Sequence, residues 1–265
     1  MAAMKRAGSG ARLVALAALL GVAAVATLAL VAGWPRAGTP TGSASPVASP
    51  SPSPSPTSAT SVTPTPSPTP SPSVSPPPIV RDFIPYGSVR RRQMAAYSLR
   101  HYGSSTWLLR PSVIVLHYTA GSTYRGARAL FVANTPNLGE LPGVAAHFVI
   151  DKDGTVYQLV PLYVRVRHAI GLNHRALAIE FVQEGGPGPH WADTQILARK
   201  PQMRAALRLV RYLQVRYGVR LGDVIGHAMA NDSPYFRDLL GWRNDHTDWL
   251  AADVRIFRTR LAALR

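Results

Sequence analysis

Cysteine is absent from this chain of 265 residues. That excludes a disulfide framework, thiolate catalysis and any cysteine-based metal site. Acid is scarce too: 13 Asp and Glu stand against 29 Lys and Arg, a formal net charge of +16. A strongly basic cytosolic chain would suggest nucleic acid. Here no nucleic-acid recognition motif accompanies the charge, and the basic residues are spread along the chain rather than gathered in one tract. Anionic lipid headgroups or anionic cell-wall polymers, attracted without specificity, are the expected counterparts. Nucleic acid is not an expected partner.

Long apolar runs are also rare, with one exception. Leu13 to Trp34 carries no charge and is apolar but for Thr27, long enough for the roughly 20 residues of a membrane-spanning helix and longer than the apolar core of a cleavable signal peptide. Lys5, Arg6 and Arg12 precede it and only Arg36 follows closely. The positive-inside rule then leaves the N-terminus in the cytoplasm and the remainder outside. Residues 1–37 are therefore expected to be a cytoplasmic tip and signal anchor of a single-pass protein. The alternative is a signal peptide cut near Ala32 or Ala37, with secretion. Residues 38–78 are almost wholly Ser, Pro, Thr, Ala, Gly and Val. Such a composition cannot bury enough apolar surface to offset the entropy of ordering, so it reads as an extended tether. Residues 79–265 remain as one domain of ordinary size.

Within that domain apolar and polar residues alternate between strand and helix patterns, which predicts a mixed β-sheet with helices packed around it, an α/β or α+β fold. Ser88 is expected to cap a helix ending before Gly103, and Thr123 to cap another. Ala145–Ile150, Asp151–Gly154 and Thr155–Val160 read as a hairpin, and Leu177–Val182 as an apolar strand. Pro201 opens a helix to about Tyr217 whose apolar face is Leu207, Val210 and Leu213. Leu250–Leu264 closes the chain as a helix.

Two of the strands end in histidine. Ser112-Val-Ile-Val-Leu-His117 is a buried-strand pattern expected to deliver His117 to its C-terminal end, and Val224-Ile-Gly-His227 repeats the arrangement. Two histidines and an aspartate from the downstream run Asp245-His-Thr-Asp248 can supply three ligands to Zn²⁺ with one coordination position left open, the pattern of a catalytic site. Such a site makes bound water acidic enough to act near neutral pH. Hydrolysis also needs a carboxylate that moves protons. Glu180, inside the apolar run Leu177–Val182, is out of place in a buried strand unless it faces a site.

Four stretches resemble, in consistent order, the motifs of one family. Val113-Ile-Val-Leu-His-Tyr-Thr-Ala-Gly121 is similar to the opening motif of the zinc-dependent N-acetylmuramoyl-L-alanine amidases of type 2, a superfamily that includes phage amidase lysozymes and peptidoglycan recognition proteins. Ala146 to Val160 resembles its second motif, His168 to Asn173 with Ala178-Ile-Glu-Phe181 its third, and Ile225-Gly-His227 its fourth. The resemblance implies hydrolysis of the amide between N-acetylmuramic acid and L-alanine in peptidoglycan. It makes His117 and His227 zinc ligands and Glu180 the general base. Tyr118, His147, His168 and Asn173 would line the substrate groove. A non-catalytic peptidoglycan-recognition module is the alternative.

The pattern departs after His227. Where the family has a short loop and then Lys-Thr-Asp, this sequence has a longer insert, Ala228 to Asn244, ending Arg243-Asn-Asp-His-Thr-Asp248. One alignment makes Asp248 the third ligand and His246 the oxyanion donor. The other makes Asp245 the ligand and Arg243 the donor. Asp248 with His246 is preferred, because a histidine there could both donate to the oxyanion and protonate the leaving amine. The insert, with Pro234, Tyr235, Phe236 and Trp242, is expected to form a lid.

Overall fold

A computed structural model describes residues 74–264. The anchor expectation and most of the tether fall on residues outside that range. Among the described residues no helix is long and apolar enough to cross a membrane.

The order of elements is β1 (Val80–Arg81), α1 (Ser88–Tyr102), β2 (Val113–Ala120), α2 (Tyr124–Ala133), β3 (Phe148–Ile150), β4 (Val156–Gln158), β5 (Ala176–Glu184), α3 (Trp191–Ala198), α4 (Lys200–Tyr217), β6 (Val224–Gly226) and α5 (Ala251–Ala262). The six strands form one mixed sheet in the order β1-β4-β3-β5-β2-β6. Only β3 and β4 pair antiparallel, as the hairpin pattern requires; the other neighbours run parallel. This is the mixed α/β sandwich expected from the sequence.

Strand parity sorts the residues onto two faces. Leu116, Ile179, Phe148 and Ile150 share one face with Val210, Leu213 and Phe257 from the helices, all in one apolar cluster. On the other face Val113, Val115, Ala176 and Ile225 form a second cluster, and Ala178, Val149 and Val182 a third, with Phe131 of α2. The predicted face of α4 is buried as expected, joined by Met203, Ala206 and Leu209. At about 1.5–3 kcal/mol for each fully buried aliphatic side chain, this contact anchors α4 to the sheet.

Local signals act largely as read. Thr123 caps α2 by accepting a hydrogen bond from the Gly126 N–H at 3.2 Å. Gly218, with φ +66°, ends α4 in the left-handed conformation. Ser88, however, is the first residue of α1; Gly87 occupies the cap position and makes no side-chain bond. The strand carrying His117 does not end there. β2 continues to Ala120 because Tyr118 still pairs with Phe181 of β5, and the register slips only after it. His117 therefore lies inside a strand, opposite Glu180. Helix α3 was not foreseen.

Gly226 shows how closely the chain is folded behind the site. A Cβ there would lie 1.7 Å from the carbonyl oxygen of Trp249. Backbone cannot yield at that distance, so Gly226→Ala is expected to cost more than about 4 kcal/mol or to prevent folding, read as lost soluble yield or a collapsed thermal transition.

Candidate functional site

Parallel pairing of β2 with β5 and of β2 with β6 brings three chemistry-bearing residues to one end of the sheet. His117 is opposite Glu180, and Leu116 opposite Gly226 sets His227 just beyond the strand end. A cleft of about 420 Å³ opens there, lined among others by His117, Tyr118, His168, Glu180, His227, His246 and Asp248.

His117, His227 and Asp248 are buried and offer one ligand atom each, all within 4.8 Å of one another. The Nδ1 atoms of His117 and His227 are 3.2 Å apart. Asp248 places Oδ2 at 3.2 Å from His117 Nδ1 and Oδ1 at 3.1 Å from His227 Nδ1. A tetrahedron with bonds of about 2.0–2.1 Å to nitrogen and oxygen has edges of roughly 3.3 Å, so the spacing suits a zinc-sized ion. Of the two aspartates considered, Asp248 joins the histidines with its side chain 10% exposed, whereas Asp245 has its side chain fully exposed, at 100%.

The far side of each ring is also held. His168 Nε2 faces the Ala176 carbonyl at 3.3 Å, and His168 Nδ1 faces His117 Nε2 at 3.0 Å. If each Nε2 carries the proton, His168 accepts from His117 and the lone pair of His117 Nδ1 points into the cluster. His227 Nε2 donates in the same sense to Asn244 Oδ1 at 2.9 Å. Asn244 is itself fixed, donating to the Ile170 carbonyl and to Asn231 Oδ1, and accepting from the Ile170 N–H. Outer partners of this kind set the tautomer of a metal-ligating histidine. The donor set and its orientation thus fit a metal ion.

Electrostatics agree. Burial, then the neighbouring His227, lowers the His117 pKa to about 4, so the ring is a neutral lone-pair donor near pH 7. Burial would raise the Asp248 carboxyl, but the adjacent His117 and His227 rings reverse this and hold it well below the usual range. Glu180 goes the other way: burial, with the charge of Asp248, pushes it up to about 8. Its Oε2 is buried without a protein hydrogen-bond partner. An unsatisfied buried carboxyl group is costly and collects at sites of chemistry.

The other expected groove residues divide. Tyr118 and His168 line the cleft. Asn173 also borders it, but its side chain is committed: Oδ1 accepts from the N–H groups of His168 and Ala169, and Nδ2 donates to Tyr102. His147 does not line the cleft. Its ring is fully buried, accepting from the Ala178 N–H at Nδ1 and donating to the Val164 carbonyl from Nε2. It ties β5 to the Val164 loop, and burial lowers its pKa to about 4. His246 stacks on the His227 ring, centroids 4.1 Å apart, with its side chain 60% exposed at the mouth. Sequence reasoning gave Asn244 no role beyond a place in the rival alignment; nothing local marks it, because its partners lie 17 and 74 residues away.

The insert is tied down rather than a free lid, and only its last residue, Asn244, lines the cleft. Leu239 N–H donates to the His101 carbonyl and Arg237 N–H to that of Gly171. The buried His101 ring meets Asp238 at 2.7 Å and Glu140 at 2.8 Å, which clamps the insert to α1 and to the loop beside the cleft.

Fold and cleft together define a class: a mixed α/β domain whose sheet end carries a histidine–histidine–aspartate group able to bind a metal ion, beside an unpaired glutamate. The family model described as N-acetylmuramoyl-L-alanine amidase matches residues 108–247, more than half of the chain and stopping one residue short of Asp248. The chain belongs to that family. Among solved structures it is similar to the endolysin amidase LysCS from Clostridium intestinale URNW, at 24% identity over 58% of this chain and 83% of that one, TM-score 0.39. It is similar to the amidase LysC from the same organism, at 25% identity over 57% and 83%, TM-score 0.38. A third is the amidase AmiD from E. coli in complex with anhydro-N-acetylmuramic acid-L-Ala-D-gamma-Glu-L-Lys, at 23% identity over 46% and 49%, TM-score 0.36. No curated protein gives a significant match.

Proposed function

We propose that this protein is a zinc-dependent amidase that hydrolyses the bond between the lactyl group of N-acetylmuramic acid and the L-alanine of the peptidoglycan stem peptide. The observation that carries the reading is one cleft, in a chain of this family, where a His–His–Asp cluster lies beside a glutamate with one carboxyl oxygen buried and without a protein partner. His117 and His227, each through Nδ1, and Asp248, through a carboxylate oxygen, would hold the zinc. Bound there, zinc supplies a Lewis acid for the scissile carbonyl, raises the acidity of an adjacent water and favours the ionised form of Glu180.

Glu180 takes a proton from the attacking water as its oxygen adds to the amide carbon. His246, at the mouth, donates an N–H to the developing oxyanion. Burial, then the neighbouring His227, holds its pKa below the usual histidine range. That favours a neutral donor over an acid, so Glu180 returns the proton to the alanine nitrogen as the C–N bond breaks. Tyr118 and His168 border the substrate, and His168 also orients His117.

The N-terminal sequence supports a setting for this chemistry. A signal anchor over 1–37 and a tether over 38–78 would hold the domain outside the membrane, facing the wall. Its positive charge would favour contact with anionic wall polymers.

The products test the reaction. Incubation of purified muropeptide with the full-length protein is expected to yield intact amino sugar and a peptide with a free L-alanine amino terminus, read by mass spectrometry. Cleavage within the peptide or the glycan contradicts the assignment. The outer partner of His227 gives a second check. Asn244→Ala is expected to weaken zinc about 10–100-fold, measured by chelator competition, while Asp245→Ala leaves it unchanged.

A further inference from the structure

Trp249, the residue after Asp248, is wholly buried yet has φ +56°. A bulky side chain in the left-handed region persists only where its surroundings determine it. Those surroundings are the three ligand-bearing segments. The Trp249 indole N–H donates to the carbonyl of His117 at 3.3 Å. Its own carbonyl packs on Gly226, directly before His227. The Asp248 carbonyl accepts from the Ala228 N–H, directly after His227, at 3.0 Å. The ring enters the core of the opposite sheet face, 5.0 Å from Phe181 and 5.6 Å from Phe257 between centroids.

The turn is fixed from outside by Asp193 in the first turn of α3. Its Oδ1 accepts from the Trp249 N–H at 3.1 Å and its Oδ2 from the Leu250 N–H at 3.0 Å. Both oxygens of one buried carboxyl group thus accept from the two backbone N–H groups that follow Asp248, with Asp253 beside it.

We propose that Trp249 and Asp193 are positioning residues that strap Asp248 to both histidine segments and so set the ligand triad in place before a metal ion arrives. The inference rests on the metal reading of the cleft and deepens it. The left-handed turn directs the Asp248 carboxylate to the histidines while sending the next side chain through to the other face. Neither residue touches substrate, and both act through Asp248 and His117.

Two variants of the full-length protein test this. Trp249→Phe removes the N–H bond to His117 but keeps an apolar ring in the core; Asp193→Asn leaves one acceptor where two are needed. Each is stripped of metal, titrated with zinc against a chromophoric chelator, and loaded with cobalt(II) for its visible spectrum. The expected result is zinc affinity about 10–100-fold weaker, of the size seen when a ligand's supporting partner is lost, and a cobalt band altered in position or intensity. A purely structural role would lower thermal stability and leave both readouts at the wild-type value; that outcome in Trp249→Phe overturns the proposal, even if Asp193→Asn does not fold. Failure of the wild-type protein to take up zinc would instead overturn the metal reading on which it rests.

Discussion

Glu180→Gln is expected to reduce amide hydrolysis by about 10²–10⁴-fold while leaving zinc content unchanged. The size follows from losing a positioned proton acceptor and donor, and the unchanged zinc from the cluster of His117, His227 and Asp248, which does not include Glu180. The same variant is expected to make the metal-free protein more stable at alkaline pH. Burial raises the folded-state pKa of Glu180 from 4.5 to about 8. Its stabilising contribution is therefore complete below about pH 4.5 and is lost as pH rises through about 8. Above that pH the wild-type fold holds a half-buried charge with one oxygen unpartnered, at about 1–3 kcal/mol. Glutamine carries no charge. Its melting temperature should exceed that of wild type by a few degrees at pH 9, with the gap closing towards pH 5. Equal melting temperatures at both pH values would show that the carboxyl group is not desolvated as described.

Asp248→Ala is expected to abolish hydrolysis and weaken zinc by more than about 100-fold, beyond the loss expected for an outer partner. Asp245→Ala should behave as wild type in both respects. The contrast comes from position: one carboxylate bridges the two Nδ1 atoms at 3.1–3.2 Å, and the other extends into solvent. Equilibrium dialysis with zinc, run on both variants, separates them. Retained zinc in Asp248→Ala with loss in Asp245→Ala would reverse the assignment and favour Arg243 as oxyanion donor.

Legibility in the sequence followed the range of the interactions. Thr123, Gly218 and the Asp151–Gly154 turn act on backbone a few residues away, and their roles were readable from local pattern. The pairing of His117 with Glu180 could be inferred only as far as both belong to apolar runs, since register between parallel strands is set by the whole sheet. The end of β2 was misplaced because pattern does not reveal that Tyr118 still pairs across to Phe181. Helix α3 escaped because it is short and buries an aspartate, Asp193, along with Ala192, Ile196 and Leu197. His147 reads like a site histidine, yet the carbonyl of Val164, 17 residues on, claims its Nε2. The insert's aromatic content suggests a flap, but the contact of His101 with Asp238, 137 residues apart, ties it down.

These differences share a cause that bears on function. Of the residues proposed to hold the metal, His117 lies on β2 and His227 just past β6, both strands with strong local signatures, whereas Asp248 lies in an irregular segment defined by its contacts with Asp193, His117 and Ala228. Residues 108–247 match the family and Asp248 falls just outside that match. The part of the site least like the family in sequence is the part most dependent on tertiary contacts.

The central claim is tested most directly on purified peptidoglycan. Full-length protein is incubated with it as prepared, with a chelator, and with chelator followed by zinc, and stem peptides bearing a free L-alanine amino terminus are quantified. The account predicts release that the chelator stops, zinc restores and Glu180→Gln reduces by at least about 100-fold. Firm binding to the wall with no release under any condition would contradict it and mark the domain as a recognition module.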